Sequence, residues 1–411
     1  MKADRAGLAN GTGLRIAMIG QRGVPATFGG IERHVEELAS RLAARGHEVT
    51  VFCRTNYSPD RRSTHRGMRL RHLPTIGTKH LDAITHSTLS TGAAMAGRFD
   101  VIHYHAFGPG LVAPLPRYLS RAKVVMTVHA LDDERSKWST GAQRILRLAQ
   151  WMSARVPDRT IVVSSALADH YAARHHRSTT WIANGVLAPT PLPAREITER
   201  FGLKPRSYLL FVGRFVQEKA PDLLVEAFLR LSVAHPDLRL VLAGGSSFTD
   251  QFVNDLARLT ARNDRVVLPG YAYGSLLAEL YSNAAAFVLP SKLEGLPLTL
   301  LEAASYGTPV VASAIEPHVE VLGCDAPGHR LFSPGDVDDL AAAVQRALAD
   351  PAAELAAADG LRDEVLRRYD WNRTAEQTEA LYLAALTDRR PAHAQMTRPA
   401  TPDRDPETAA R

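Results

Sequence analysis

Thirteen short runs of apolar and β-branched residues recur through this chain, and most are followed by a stretch of helical periodicity. That alternation admits one main architecture, parallel sheets whose strands are joined by helices lying on their faces. In the first half the strand candidates are residues 14–19, 48–52, 68–72, 101–104, 123–128, 159–163 and a short 180–182. In the second half they are 208–212, 239–243, 265–268, 286–289, 310–312 and 329–332. Between the two series lies LAPTPLPAR (187–195), whose three prolines in nine residues read as a linker. A chain of 411 residues exceeds what one ordinary core serves. The expectation is therefore an α/β protein of two doubly wound domains, residues 1–188 and 189–368. Helical material follows to about residue 386, interrupted near 369–371, and the polar tail 387–411 is expected to be disordered.

Composition narrows the function class. Hydrophobic residues make up 45% and charged residues 22%, the balance of a globular enzyme. No stretch approaches the roughly 20 apolar residues that span a bilayer, and MKADRAGLANGTG lacks the apolar segment of a secretory leader. Cys53 and Cys324 form no metal or redox spacing, which suggests a reducing, cytoplasmic setting. The net charge of +6 is unevenly spread: residues 1–190 hold 26 Lys and Arg against 13 Asp and Glu, and residues 191–411 hold 23 against 30. A basic half suits an anionic partner, either a phosphorylated substrate or an anionic membrane face. Nucleic acid is not expected, because no basic motif is interleaved with aromatics and no zinc module is present.

Three segments carry candidate chemistry. LRIAMIGQRGVPATFGGIE (14–32) is a strand, a glycine-rich loop and a helix starting near Gly30, a junction where backbone amides meet an anion. Its glycines are spaced wrongly for GxGxxG, which argues against a dinucleotide-dependent dehydrogenase. FVGRFVQEKAPDLLVEA (211–227) ends a buried strand at Gly213 and follows it with Arg214 and Lys219, two cations placed to hold a diphosphate. PSKLEGLPLTLLEAASYG (290–307) carries Glu294 and Glu302 on either side of a Gly-Leu-Pro-Leu turn, with a helix starting near Leu298. Its turn amides make an anion site, and its carboxylates accept paired sugar or ribose hydroxyls. Each segment also has a plainer reading: a tight turn, a surface cation pair, a helix with acidic first turns. The DVD at 336–338 opens an alanine-rich helix and reads as an N-cap rather than a magnesium site.

Taken together, these segments resemble the family 4 retaining glycosyltransferases of the two-domain B-type (GT-B) fold, in which two Rossmann-like domains face a central cleft. The resemblance also rests on IANGV (182–186), GTPVVAS (307–313) and the closing YDW (369–371). The opening GxRGxPAxxGGxE, with His129 in THALDDERSKW, is similar to a rhamnosyltransferase-like subgroup. The resemblance implies that Arg214 and Lys219, beside Gly213, bind the donor diphosphate with help from the amides of Gly29 and Gly30. It implies that Glu302 binds ribose hydroxyls. Glu294 and the amides of Gly295, Leu296, Pro297 and Leu298 would then contact the transferred sugar. His129 would line the sugar pocket, and Gly270, Tyr271 and the residues up to Tyr273 would lie near the base. It further implies that the final helices, about 369–386, pack back on the first domain and that no metal or cofactor is needed beyond the nucleotide-sugar co-substrate. Two departures stand out: Ala220 where the family has glycine, and Gly244-Gly245-Ser246 where it has an acidic G-D-G.

The reaction so implied breaks the anomeric carbon–phosphate bond through an oxocarbenium-like transition state. Arg214, Lys219, Glu294 and His129 are the expected catalytic set. The acceptor is a hydroxyl, either lipid-linked in cell-surface polysaccharide or glycoconjugate assembly, at the inner membrane face, or a soluble natural-product scaffold. A nucleotide-sugar epimerase of the same fold and a non-catalytic nucleotide-sugar-binding module are the competing classes.

Overall fold

The computed structural model describes residues 13–388 apart from 28, 58–60, 77–81, 107, 132–139, 246–250 and 262. Beyond Asp388, the tail expected to be disordered lies outside the described residues, as do Ser246 and most of the LDDERSKW stretch.

Eight strands form the first sheet: β1 (Arg15–Ile19), β2 (Glu48–Arg54), β3 (Thr64–His65), β4 (Met68–Leu73), β5 (Val101–His105), β6 (Lys123–Val128), β7 (Arg159–Val162) and β8 (Thr180–Trp181). Six form the second: β9 (Tyr208–Arg214), β10 (Arg239–Gly245), β11 (Val266–Gly270), β12 (Ala286–Leu289), β13 (Val310–Ser313) and β14 (His329–Phe332). Their spatial orders are β3-β4-β2-β1-β5-β6-β7-β8 and β11-β10-β9-β12-β13-β14. Every pairing is parallel except β3 with β4. β12 and β13 are buried along their whole length, which is why their sequences are unbroken apolar or small runs.

The two-residue β3 is the strand that apolar patterning does not reveal. It is made by a hairpin through Arg66 and Gly67, both at positive φ (44° and 83°), and has no apolar run of its own.

In each sheet the chain leaves its first strand in one direction and later returns to the other side. That places a topological switch between β1 and β5 in the first sheet, and between β9 and β12 in the second. Ligands of doubly wound sheets bind at the carboxyl ends of the strands flanking such a switch.

The last two helices among the described residues are Pro351–Arg368 and Trp371–Thr387. Between them the chain crosses back to the first sheet: Val186 N–H donates to the Tyr369 carbonyl (2.7 Å), and Thr374 Oγ1 donates to the Ala183 carbonyl (2.9 Å). A Cβ on Gly185 would fall 2.3 Å from Trp371 N, so glycine is what lets the two segments cross. The final helix then packs on the Gly30–Ala44 helix, with Glu379 bonded to Arg45 and His47. IANGV and YDW, far apart in sequence, are thus the two sides of one contact.

Candidate active site

The second-domain half of the site stands at the switch between β9 and β12. β9 ends with Gly213 and Arg214, and the turn Gln217–Lys219 leads into the Pro221–Leu231 helix. Ala220, which closes that turn, holds a left-handed φ of 46°. That conformation is why glycine is favoured there, and alanine costs about 1 kcal/mol in it. After β12, Ser291 is buried and its hydroxyl donates to Glu294 Oε1 (2.7 Å). Lys219 donates to the same oxygen, and Lys292 N–H donates to the Glu218 carbonyl (2.8 Å), so the two loops are held as one unit. Behind them Ser313 Oγ donates to the Ser291 carbonyl, and His318 Nδ1 donates to the Ser313 carbonyl (2.8 Å).

The two glutamates are driven in opposite directions. Burial pushes Glu294 up, but the Lys219 charge, with His318 and the hydrogen bonds from Lys219 and Ser291, more than offsets it and holds the carboxyl below its ordinary range. Burial also pushes Glu302 up, and there the Arg33 charge and the Tyr281 hydroxyl (3.2 Å) only partly offset it. Glu294 is therefore the fixed anion, while Glu302 gains by meeting hydrogen-bond donors.

On the base side, Gly244 sits at φ 146°, and a Cβ there would lie 1.8 Å from the Gly213 carbonyl oxygen. Glycine at 244, the position this chain shares with the family pattern, is thus a packing requirement. β11 ends at Gly270, and Tyr271 and Tyr273 stack in parallel with centroids 6.3 Å apart. The Tyr271 ring lies over Gly245. Burial, then Tyr271, then Tyr57 of the first domain push the Tyr273 hydroxyl up to about 12, so the first domain reaches this edge of the cleft too.

The first-domain half comes from the ends of β1, β5 and β6. Gly29, at φ 100°, caps the Gly30–Ala44 helix. Two carboxylates of that helix turn back onto the glycine loop: Glu32 accepts from Arg22 N–H (3.1 Å) and Glu36 from Ala26 N–H (2.9 Å). The loop's own amides are thus partly occupied, and the helix start at Gly29 and Gly30 is what faces the second domain. A Cβ on Gly30 would stand 3.7 Å from Leu298 Cδ1 of the Leu298–Ser305 helix, so two helix N-termini meet across the cleft.

Closure is tightest at Gly295. A Cβ there would fall 1.7 Å from the His129 carbonyl oxygen, and Asn184 Nδ2 donates to the Leu296 carbonyl (3.2 Å). The Gly295–Leu298 turn is roofed by the first domain: Gly295, Leu296 and Pro297 are buried.

Beneath that roof four imidazoles cluster. His34 Nδ1 donates to Asn184 Oδ1 (2.8 Å), His103 bonds Tyr382 and Thr127 (2.6 and 2.7 Å), and the His34 ring meets the His129 ring edge-on at 4.6 Å. Burial lowers all four, His34 to about 4 and His103 to about 3, with neighbouring imidazoles adding for His103, His105 and His129. They are neutral near pH 7. His34, His105 and His129 are also the group with metal-ligand spacing among the described residues, their nitrogens lying within 4.8 Å of one another.

The structure thus brings together Gly29, Gly30, His129, Gly213, Arg214, Lys219, Glu294, Gly295, Leu296, Pro297, Leu298 and Glu302 at one cleft, with Gly270 and Tyr271 at its edge. Sequence reasoning missed Ser291, Ser313 and His318 behind Glu294, Asn184 and His34 on the roof, and Arg33 and Tyr281 beside Glu302. Asn184 in IANGV, Ser291 in the 290–307 segment and Ser313 in GTPVVAS lay in segments already singled out. Asp336 accepts from the amides of Asp338 and Asp339 (2.9 and 3.0 Å), the N-cap geometry its sequence implied. Beside Glu294 a cavity of about 270 Å³ opens between the domains, lined by Leu131, His170, Lys292, Ile315 and Pro317 among others.

Comparison with known proteins agrees with this geometry. Residues 28–206 match the family described as Glycosyltransferase Family 4, and residues 194–360 match Glycosyl transferases group 1. The chain is 31% identical to a glycogen synthase of Mycobacterium tuberculosis over 90% of its own length and 95% of the relative's. It is 30% identical to a D-inositol 3-phosphate glycosyltransferase of Actinosynnema mirum, covering 86% and 92%. Among solved structures, a sucrose-phosphate synthase from Thermosynechococcus elongatus superposes with a TM-score of 0.78 at 27% identity, over 90% of this chain and 98% of that one. Anabaena HepE in complex with UDP-glucose superposes with a TM-score of 0.74 at 18% identity, over 90% and 100%, a likeness of fold. With a B-type cleft built from these residues and relatives matched over nearly their full length, the chain belongs to glycosyltransferase family 4.

Proposed function

We propose that this protein transfers a sugar from a nucleotide-diphosphate donor to an acceptor hydroxyl with retention of anomeric configuration and without a metal ion. The observation that carries the reading is the convergence of Lys219, Arg214 and two facing helix N-termini at one cleft, with two carboxylates of opposite pKa tendency beside them. Charge develops on the leaving diphosphate, and fixed donors aimed at that position stabilise the transition state. Arg214, Lys219 and the amides of Gly29 and Gly30 hold the diphosphate. Glu302 accepts from the ribose hydroxyls, Tyr271 lies against the base, and Glu294 with the 295–298 turn positions the sugar under His129.

The anomeric carbon–phosphate oxygen bond breaks as the acceptor oxygen bonds the same face. The acceptor proton passes to a diphosphate oxygen, so no protein nucleophile takes part. Engagement of Glu294 Oε1 by both Lys219 and Ser291 supports a positioning role for that carboxylate over covalent attack. The cavity between Leu131 and Pro317 is the acceptor's approach.

The excess of 26 cations over 13 anions in residues 1–190 supports a lipid-linked acceptor at the inner membrane face, in cell-surface polysaccharide or glycoconjugate assembly. No helix among the described residues is long and apolar enough to cross a membrane, so such contact is peripheral. The opening segment's likeness to rhamnosyltransferase-like members makes dTDP- and GDP-deoxyhexoses the first donors to try.

A thermal-shift panel of UDP-, GDP- and dTDP-sugars should single out one donor, which is then followed by nucleoside diphosphate release with and without EDTA. Lys219→Ala and Glu302→Ala should each cut release by about 10²–10³ with the native fold preserved by circular dichroism. Undiminished turnover in both variants, or loss of activity in EDTA that only a divalent ion restores, would overturn the proposal.

A further inference from the structure

The helix Thr140–Arg155 is amphipathic in an unusual sense: its outward face is not polar. Ile145, Leu148 and Trp151 are 55%, 51% and 50% exposed, at spacings that put them on one stripe. Arg144, Arg147 and Arg155 are exposed beside them, and the helix contains no acidic residue. The helix before it, Pro114–Leu119, repeats the pattern. Tyr118 and Leu119 are 68% and 71% exposed, Arg121 follows, and again there is no acid.

The two helices lie on the same face of the sheet. β5, β6 and β7 are neighbours taken in chain order, so right-handed crossovers put both connections on one side. Arg117 Nε donates to the Val156 carbonyl (3.0 Å) just past the end of the longer helix, which joins the pair directly. Five large apolar side chains standing in water beside cations are not explained by the cleft, whose contacts do not include them.

We infer that this face docks on an anionic lipid surface. Tryptophan and tyrosine favour the headgroup level, and aliphatic side chains enter the acyl boundary below it. Arginine stems lie along the apolar surface while their guanidinium groups meet lipid phosphates. A second copy of this chain fits less well, because a symmetric contact would set Arg144 and Arg147 against their own counterparts. Helices in such crossovers start at the carboxyl ends of the strands, so the Thr140 end of this face borders the cleft. A lipid-linked acceptor would enter from there, and this part of the inference rests on the function proposed above.

The test uses the full chain in vesicle sedimentation, with phosphatidylcholine alone and with phosphatidylcholine mixed equally with phosphatidylglycerol. The wild type should pellet with the mixed vesicles at low salt and be released as salt rises. Ile145→Ser with Trp151→Ser, and separately Arg144→Gln with Arg147→Gln, should each lower the bound fraction by about tenfold. Absence of pelleting, equal pelleting on neutral vesicles, or variants that pellet like the wild type would overturn the inference. So would a lipid-free dimer of the wild type that the same variants convert to monomer, since the face would then be a self-contact. These exposed positions lie outside the cleft, so donor-induced thermal shifts should be unchanged. Vesicle binding and nucleotide binding therefore fail independently.

Discussion

At the scale of single residues, the site depends as much on missing side chains as on charged ones. Gly295 passes so close to the His129 carbonyl that any Cβ would displace one of the two loops. Gly295→Ala should therefore weaken closure by about 1–3 kcal/mol and cut turnover by about ten- to a hundredfold. The melting temperature of each domain should stay near normal in calorimetry, and a variant with full turnover would refute the contact. Lys219 and Glu294 show the complementary case. Their ion pair neutralises both groups, yet the ammonium keeps further donors for an incoming phosphate. The glutamate pair and the cations could be singled out from the sequence because they follow strands that patterning locates. Asn184 and His34 could not, because their partners come from other loops or helices; Ser291 lies three residues before Glu294, but no local rule marks its hydroxyl as a partner. The reason for Gly295 was equally hidden, since it lies in a carbonyl of the other domain.

At the scale of elements, the strands were legible because most are buried on both faces and so read as apolar runs. β3 was not, since a two-residue hairpin arm has no core face to encode. β5 was read as a strand over 101–104, one residue short of its end, and neither of its two histidines was singled out. They are buried at 0% exposure at its carboxyl end, one tied to the final helix through Tyr382. Folded-state values near 4 for His34 and 3 for His103 lie below the ordinary 6.5. As pH falls from 6.5 the unfolded chain therefore takes up protons first, and stability is lost toward those lower values. By pH 5 each of these two imidazoles should cost about 2 kcal/mol of stability. Denaturant midpoints measured between pH 7 and pH 5 should fall accordingly. His103→Gln should flatten that fall by about one imidazole's share, and an unchanged slope would contradict the assignment.

At the scale of the whole molecule, the two domains are latched at several points around the cleft. Glu320 of the second domain accepts from both the amide and the hydroxyl of Ser165 (2.8 and 2.7 Å), the first residue of the Ser165–His175 helix, where a carboxylate is favoured. The linker itself is only partly free. Leu192 N–H is bonded to Ser282, and the amides of Arg195 and Ile197 to Glu279, so rotation is confined to the residues before them. Glu320→Ala should relax closure by about 1 kcal/mol and raise the radius of gyration in small-angle scattering. Scattering identical to the wild type would show that the latch is idle. The most direct test of the account is a crystal structure with a nucleoside diphosphate. The predicted result places the diphosphate within hydrogen-bond distance of Lys219 and Arg214, with ribose on Glu302 and the Gly29–Gly30 helix start over the phosphates. A nucleotide bound elsewhere, with Lys219 still held by Glu294 alone, would contradict it.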